Sequence, residues 1–443
     1  MNEQTTPPIS FSTALAFWLK LGLISFGGPA GQIALMHQEL VVNKRWISER
    51  RFLHALNYCM VLPGPEAQQL ATYMGWLMHK TGGGIAAGVL FVLPSLFILI
   101  GLSWLYIAYG QLPVVAGLFY GIKAAVLAIV LHAAVRIGKR SLQNKLHWGV
   151  AVLAFFAMFA AQIPFPFIVL AAALIGIAAT RWWPQFITAN AAHKSATAQH
   201  GEAIIDDDTP TPAHALFNWW RLCRVILFGA VLWCVPMLAL WQSLGWQHTY
   251  TQMAWFFTKA ALLTFGGAYA VLPYVYQGAV SEFRWLTPNQ MIDGLALGES
   301  TPGPLIMIVA FVGFIGAYVL QLCGPDQQFL AGVLGACLVT WFTFLPSFIF
   351  ILAGGPFIES THKQISFTAP LAMISAAVVG VIASLTLFFA YHVLWPMGFA
   401  AQIDLGAVAL VCAAAWALFR RAWSVIPLLV VSALLGMAMR FLF

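Results

Sequence analysis

A stretch of 49 residues, Phe17–Pro65, occurs twice in this chain and constrains the fold more than any other feature. Shifted by 239 positions without a gap, it matches Phe256–Pro304 at 14 identical positions. The identities are concentrated in residues that interrupt helices. They include Phe26-Gly27-Gly28 with Phe265-Gly266-Gly267, Arg45-Trp46 with Arg284-Trp285, and Pro63-Gly64-Pro65 with Pro302-Gly303-Pro304. A second match, at a shift of 252, pairs Leu93-Pro94-Ser95 with Leu345-Pro346-Ser347, so most of each half is duplicated.

The composition places this duplication in a membrane. Only 8% of the 443 residues are charged and 61% are apolar, whereas a soluble domain carries about 25% charged residues. The apolar runs are continuous and lack the alternation of barrel strands, which predicts an all-α polytopic membrane protein. The net charge of +7 comes from loops that flank the spans, as orientation signals do, and does not favour nucleic-acid binding.

The helix breakers predict short helical hairpins whose tips lie inside the membrane. The arms on either side of Gly27-Gly28 and of Pro63-Gly64-Pro65 have about 11 to 16 residues, less than the ~20 that a full span needs. Backbone breaks at membrane depth are tolerated only where protein or a wet cavity surrounds them. We therefore expect broken or re-entrant hairpins in both halves.

Loop charges predict that the second repeat is inverted relative to the first. Loops 43–51 and 136–145 each carry four Lys or Arg residues, while their counterparts 282–290 and 388–397 carry one and none. Positive charge marks the cytoplasmic side. The predicted organisation is an N-terminal repeat (1–181), a flexible cytoplasmic linker (182–224), an extra span (225–249) and a C-terminal inverted repeat (250–443).

Inverted repeats with interrupted helices are typical of secondary transporters, whose site lies where the repeats meet. A helix that begins inside the membrane presents free N–H groups and the positive end of its dipole, which suits an anion. Proline is tolerated in a first helical turn, and glycine lets backbone amides approach a ligand. The alternative is that the Gly pairs only allow close helix packing.

Two lysines reinforce the anion hypothesis. Lys20 and Lys259 each lie six residues before a Phe-Gly-Gly motif in an apolar helix, and an embedded cation needs a partner or a function. Together they could neutralise a dianion; the alternative is snorkelling to the interface. The predicted substrate-binding residues are Lys20, Ser25, Gly27, Gly28, Gly64, Lys259, Thr264, Gly266, Gly267, Thr301 and Gly303.

Three further charged residues are candidates for gating or proton coupling. Glu66 follows the first Pro-Gly-Pro and Glu299 precedes the second, so either could carry protons or simply cap a helix N-terminus. Lys123 has Ser375 as its counterpart, and could be a gate, a relay or a counter-charge to Glu66. The six cysteines are scattered without a Cys-x-x-Cys spacing, so no metal, cofactor or disulfide is expected.

With these motifs assembled, the chain resembles the chromate ion transporter family in its long, two-domain form. The resemblance rests on Phe-Gly-Gly-Pro at Phe26–Pro29, the second Phe-Gly-Gly and both Pro-Gly-Pro segments; Ala268 departs from the pattern where the first half has Pro29. It implies a multi-pass protein of the inner membrane that exports chromate and confers chromate resistance, with sulfate as a chemical mimic. The expected partners are the lipid bilayer and the transported anion. Whether the protein forms a homodimer is left undecided by the sequence.

Other functions fit the sequence less well. A permease for sulfate or another tetrahedral oxyanion would need a site of the same kind. Among transporters, it is therefore the alternative to a chromate exporter. A membrane-embedded enzyme would need an acid–base or metal constellation, which the sequence does not show, and a scaffold would not explain paired lysines inside the membrane. The sequence therefore predicts a transporter and no enzyme.

Overall fold

The computed structural model of the protein describes residues 9–26, 28–182, 203–206, 209, 212–265, 267–361 and 368–442. Within these ranges the chain forms α-helices and no strand, which confirms the prediction of an all-α protein. The helices are α1 Phe11–Ile24, α2 Gly28–His37, α3 Glu49–Val61, α4 Glu66–Tyr109, α5 Pro113–Ser141, α6 Lys145–Phe159, α7 Phe165–Trp182, α8 Trp219–Leu244, α9 Thr249–Leu263, α10 Ala268–Tyr276, α11 Pro288–Ser300, α12 Ile308–Val319, α13 Gln328–Thr361, α14 Thr368–Leu394, α15 Leu405–Arg421 and α16 Val425–Leu442.

Six of these helices are long and apolar enough to cross a membrane, namely α4, α5, α7, α8, α13 and α14. The protein is therefore a multi-pass membrane protein, as predicted. The extra helix α8 begins at Trp219, six residues before its predicted start, and is largely exposed on the outside of the bundle with only Gly229 and Met237 buried.

The duplication extends to backbone conformation at positions where the residues differ. α3 begins after the N-cap Ser48, and α11 begins 239 positions later after the N-cap Thr287. The π-helical segments Gln38–Asn43 and Gln277–Glu282 are related by the same shift. The same local structure thus forms from two different sequences, because the helix breakers on either side are the same.

The second arm of each Pro-Gly-Pro hairpin runs through the centre of the protein. Every residue is buried from Ala67 to Leu77 and from Thr301 to Ala317. The first of these arms ends where α4 leaves helical geometry at His79 (φ −134°, ψ 36°) and Lys80 (φ 59°, ψ −160°). Both arms are therefore surrounded by protein, which is what backbone breaks at membrane depth would require.

Part of the predicted linker packs against the loop between α2 and α3. The amide of Ile205 donates to the carbonyl of Trp46 at 3.1 Å, and the amide of Ser48 donates to the carbonyl of Ile205 at 3.0 Å. This contact places segment 203–206 on the same side of the protein as the basic loop 43–51. Residues 183–202 of the predicted linker lie outside the described residues.

Candidate functional site

The two halves exchange a reciprocal pair of backbone hydrogen bonds at their tips. The amide of Gly64 donates to the carbonyl of Thr264 at 2.8 Å, and the amide of Gly303 donates to the carbonyl of Ser25 at 2.8 Å. The Pro-Gly-Pro tip of each half is therefore attached to the Phe-Gly-Gly tip of the other. We call this region, formed by residues 25–26, 28–29, 63–66, 264–265, 267–268 and 302–305, the tip crossing.

Glycine is required at the two donor positions of the tip crossing for two independent reasons. Gly64 and Gly303 have φ of +126° and +100°, where other residues are strained. A Cβ on Gly303 would lie 2.7 Å from Cβ of Ser95, and a Cβ on Gly64 would overlap Oγ of Ser347. Ser95 and Ser347 come from the repeated Leu-Pro-Ser motif, so each Pro-Gly-Pro tip packs on the opposite half.

Four helices begin at the tip crossing. α2 begins at Gly28, α10 begins after its N-cap Gly267, and α4 begins after Pro65. A 3-10 turn that leads into α12 begins after Pro304. Free N–H groups and the positive ends of the helix dipoles therefore meet in one buried region, which favours negative charge.

The Phe-Gly-Gly tips of the two halves lie close to each other with space between them. A Cβ on Gly28 would lie 3.8 Å from a ring carbon of Tyr269, and a Cβ on Gly267 would lie 3.9 Å from Cγ of Pro29. Both glycines have positive φ, +73° and +98°. A methyl group would therefore fit sterically at Gly28, in contrast to Gly64 and Gly303. Gly27 and Gly266, which the sequence analysis also selected, lie outside the described residues.

Polar atoms without a partner accumulate around this region. Among the described residues, five buried side-chain oxygens on neighbouring elements make no hydrogen bond. The hydroxyls can donate to an oxyanion, whereas the amide oxygens need a donor, such as a bound water or an acidic proton of the ligand. These atoms are Oγ of Ser25 and Ser95 and Oε1 of Gln32, Gln68 and Gln69.

Two of the glutamine amides hold the tips in place with their NH₂ groups. Nε2 of Gln32 donates to the carbonyl of Gly303 at 2.5 Å, and Nε2 of Gln69 donates to the carbonyl of Pro63 at 2.8 Å. Both side chains are fully buried. Their NH₂ groups are thus engaged by the protein, whereas both Oε1 atoms have no hydrogen-bond partner among the described residues.

The predicted hydroxyl residues differ in what they offer. Thr264 donates its hydroxyl to the carbonyl of Ala260 at 2.6 Å, and Thr301 donates to the carbonyl of Gly298 at 3.0 Å. Their hydroxyl protons are thus used within their own helices, and Thr264 contributes its backbone carbonyl to the tip crossing instead. Ser25 is buried there with a free hydroxyl.

The predicted charged residues are placed in different environments. Lys20 is exposed on α1, whereas Lys259 is half-buried on α9 with Nζ 5.9 Å from the centre of the Trp255 ring. Glu66 is half-buried at the start of α4. Glu299 is buried and accepts a 2.6 Å hydrogen bond from the hydroxyl of Tyr269. The structure thus separates the two lysines by exposure and gives Glu299 a defined partner.

Lys123 has a counter-charge other than Glu66. Its Nζ lies 3.1 Å from Oδ1 of Asp293 on α11, so the ion pair joins the first half of the chain to the second. The sequence analysis did not select Asp293, nor Gln32, Gln68, Gln69, Ser95 and Tyr269. Their signal was a polar residue within a helix whose counterpart in the other repeat is of a different kind, as Val271 is for Gln32 and His54 is for Asp293; Ser95 is the exception, since its counterpart is Ser347. No cluster of metal-ligating side chains occurs among the described residues.

The fold and this site define an all-α, multi-pass membrane protein with a buried polar crossing between its duplicated halves. A family model for chromate transporters matches residues 12–177 and 251–437, and the chain belongs to that family.

Individual relatives agree with the family assignment. The chromate transport protein of Pseudomonas aeruginosa is 32% identical over 390 residues, which cover 87% of this chain and 82% of that protein. The chromate transport protein of Cupriavidus metallidurans is 28% identical over 385 residues, or 86% of this chain and 83% of the relative. A shorter relative, the uncharacterized transporter YwrA of Bacillus subtilis, is 30% identical over 130 residues, 29% of this chain and 72% of that protein. No solved structure matches the chain.

Proposed function

We propose that this protein exports chromate from the cytoplasm across the inner membrane and thereby confers chromate resistance. The observation that carries the proposal is the tip crossing, where the N-termini of three α-helices and two unpartnered buried serine hydroxyls meet in a member of the chromate transporter family. Chromate is a tetrahedral dianion, and backbone amides at helix N-termini are suited to bind it without a bulky cationic side chain.

The proposed binding residues are those that the structure brings to the tip crossing. Ser25 would donate its free hydroxyl, and the helix starts at Gly28 and Gly267 would provide amides. Gly64 and Gly303 would shape the site by fixing the tips. In this proposal Lys259, with Lys20, raises the local positive potential that attracts the anion.

We propose further that the two halves, residues 1–181 and 250–443, are related by a rotation about an axis in the membrane plane. The reciprocal tip hydrogen bonds support a two-fold relation between the halves. The direction of the axis is supported by the loop charges, since the basic loops of the first half have nearly uncharged counterparts in the second. The additional helix α8 would return the chain to the outer side before the second repeat begins.

The membrane potential can drive this export. An inside-negative potential favours outward movement of an anion by about 2.3 kcal/mol per charge per 100 mV, so by about twice that for a dianion. Uniport is therefore energetically sufficient. Coupling to protons through Glu299 or Glu66 would add to the driving force.

Uptake of labelled chromate into inside-out membrane vesicles tests the proposal. Outward transport in the cell becomes uptake in these vesicles, and an inside-positive potential should accelerate it. Vesicles with the Ser25→Ala variant are the matched test of the site, since this change removes a free buried hydroxyl and adds no backbone strain. Uptake that is absent, or that occurs only in right-side-out vesicles, would contradict export.

The rival substrate is sulfate, because a site built from amides and hydroxyls recognises the geometry and charge that both oxyanions share. Unlabelled sulfate should therefore compete in the vesicle experiment. If sulfate is transported faster than chromate at equal concentration, the protein is a sulfate permease that also accepts chromate.

A further inference from the structure

A second polar region lies between the two halves, separate from the tip crossing. It is a cavity of about 580 Å³ lined by residues of α4, α5, α11, α12, α14 and α16, with the cation Arg440 on α16, together with loop residues such as Gly110, Gln111 and Pro396. In the proposed orientation, all these loops face away from the cytoplasm. We call this cavity the outer vestibule.

An ion pair between the halves lines the outer vestibule. Lys123 on α5 and Asp293 on α11 both face the cavity, with Nζ and Oδ1 3.1 Å apart. The Lys123 side chain is 25% exposed and the Asp293 side chain is 5% exposed. The cation is thus accessible from the vestibule, while its carboxylate partner lies on the protein side.

The two oxygens of Asp293 are held differently. Oδ2 accepts a 2.8 Å hydrogen bond from the hydroxyl of Tyr106. Oδ1 lies 3.1 Å from Nζ of Lys123 and forms the charged contact. Because the attraction of Lys123 to an anion scales with the charge of that anion, a dianion can compete with the Asp293 carboxylate for the ammonium group.

A row of polar residues on α4 connects the vestibule with the tip crossing. Tyr106, Ser103 and Ser95 lie on one face of the helix, because their spacings of 3 and 8 residues keep them within one stripe. Ser103 is about 12 Å and Tyr106 about 16 Å from Ser95 along the helix axis. Both serine hydroxyls are fully buried and have no partner among the described residues. Two unpartnered hydroxyls, separated by the buried Leu99, therefore lie between the proposed binding region and the ion pair.

We propose that the Lys123–Asp293 ion pair is the outer gate of the oxyanion path, and that the departing dianion opens it by drawing Lys123 away from Asp293. A dianion attracts the ammonium group about twice as strongly as a carboxylate at the same distance. Tyr106 retains the released carboxylate, whose negative charge then repels the anion towards the vestibule. This inference rests on the proposed function, because it takes the vestibule to be the exit.

Thiol accessibility tests the gate without any transport measurement. In a full-length background without the six native cysteines, Ser103→Cys is labelled from the outer face by a membrane-impermeant thiol reagent. We expect slow labelling with the ion pair intact, and labelling at least tenfold faster in Asp293→Asn or Lys123→Gln. The charge swap that combines Lys123→Asp with Asp293→Lys should restore slow labelling.

The matched control is Asp404→Asn. Asp404 also lines the vestibule, but it accepts hydrogen bonds from the Tyr120 hydroxyl at 2.7 Å and the Ala407 amide at 2.9 Å. Labelling should stay slow in this variant. Three results would each contradict the proposed gate. They are equally accelerated labelling in Asp404→Asn, unchanged labelling in both single variants of the ion pair, and fast labelling in the charge swap. Melting temperatures of all variants identify any that fail to fold. If one single variant fails to fold, the labelling rate of the other single variant tests whether the ion pair closes the path.

The opening step is tested with sulfate in place of chromate, because chromate oxidises the thiol that is to be labelled and sulfate does not. External sulfate should accelerate Ser103→Cys labelling severalfold relative to chloride at equal ionic strength, and Lys123→Gln should abolish the difference. No difference, or slower labelling in sulfate, contradicts opening by the anion. Absence of chromate uptake in vesicles, combined with the expected labelling, would overturn the proposed function but leave an anion-responsive gate.

Discussion

The amide nitrogen of Gly64 lies 2.8 Å from the carbonyl oxygen of Thr264, and Gly303 repeats this contact with Ser25 in the opposite sense. Each bond ties the end of one broken helix to the beginning of another in the other half. Neither half forms the candidate site alone, because the residues around it are brought together only by contacts between the tips of both halves.

The two donor glycines should be the least replaceable residues of the site. Gly64→Ala and Gly303→Ala combine a strained positive φ with overlap onto Ser347 and Ser95. We expect each to lower the free energy of unfolding by about 1–3 kcal/mol or more and to abolish transport. Gly101→Ala, in α4 with open space around the added Cβ, is the control and should melt like the wild type. Wild-type melting of Gly303→Ala would contradict the contact.

Ser25→Ala should affect stability and binding in opposite directions. Removing a buried hydroxyl without a partner should leave the ligand-free protein equally stable or up to about 1 kcal/mol more stable. Loss of a hydrogen bond to a charged ligand should weaken oxyanion binding about tenfold or more. Thermal melting without ligand and equilibrium binding of sulfate measure the two effects. Destabilisation with unchanged binding would show that Ser25 is structural.

The two lysines should contribute unequally. Lys259 is half-buried and Lys20 is exposed, so the field of Lys259 is less screened by the surroundings. We expect Lys259→Ala to lower the initial rate of chromate uptake more than Lys20→Ala does, with both proteins inserted at normal levels. The reverse order would assign the dominant charge to Lys20.

Glu299→Gln tests proton coupling at a defined carboxyl. Glutamine can still accept the hydrogen bond from Tyr269 but cannot release a proton. We expect uptake driven by a pH gradient to be lost while chromate counterflow, which needs no net proton movement, continues. Tyr269→Phe keeps the carboxyl and serves as the control. Unaffected pH-driven uptake in Glu299→Gln would mean that this carboxyl only supports the tip of α11.

Much of the architecture follows from the sequence because helix breakers act locally. The Gly and Pro positions of both repeats predict where α3 and α11 end and where α4 and the segment before α12 begin, independently of any partner. The membrane class follows from composition in the same way. These features need no knowledge of which helices touch.

The site required the structure because its groups meet through long-range contacts. Repeat symmetry directed attention to paired residues such as Lys20 and Lys259, whereas Gln32 and Asp293 have no like counterpart and were passed over. Thr264 was selected as a binding residue, yet an intrahelical bond uses its hydroxyl proton, and its backbone carbonyl makes the contact with Gly64. Hydrogen-bond partners of this kind cannot be inferred from a shift of 239 positions.

The exchanged tip bonds also set an order of events during synthesis. The amide of Gly64 leaves the ribosome 200 residues before the carbonyl of Thr264. At about 5–20 residues per second, the first half waits for roughly 10–40 s. During that interval the amide of Gly64 has no Thr264 carbonyl to donate to and needs another acceptor. The tip crossing is consequently among the last parts of the molecule to form, and a ribosome that stalls within the linker leaves a half-protein whose tips have no acceptor.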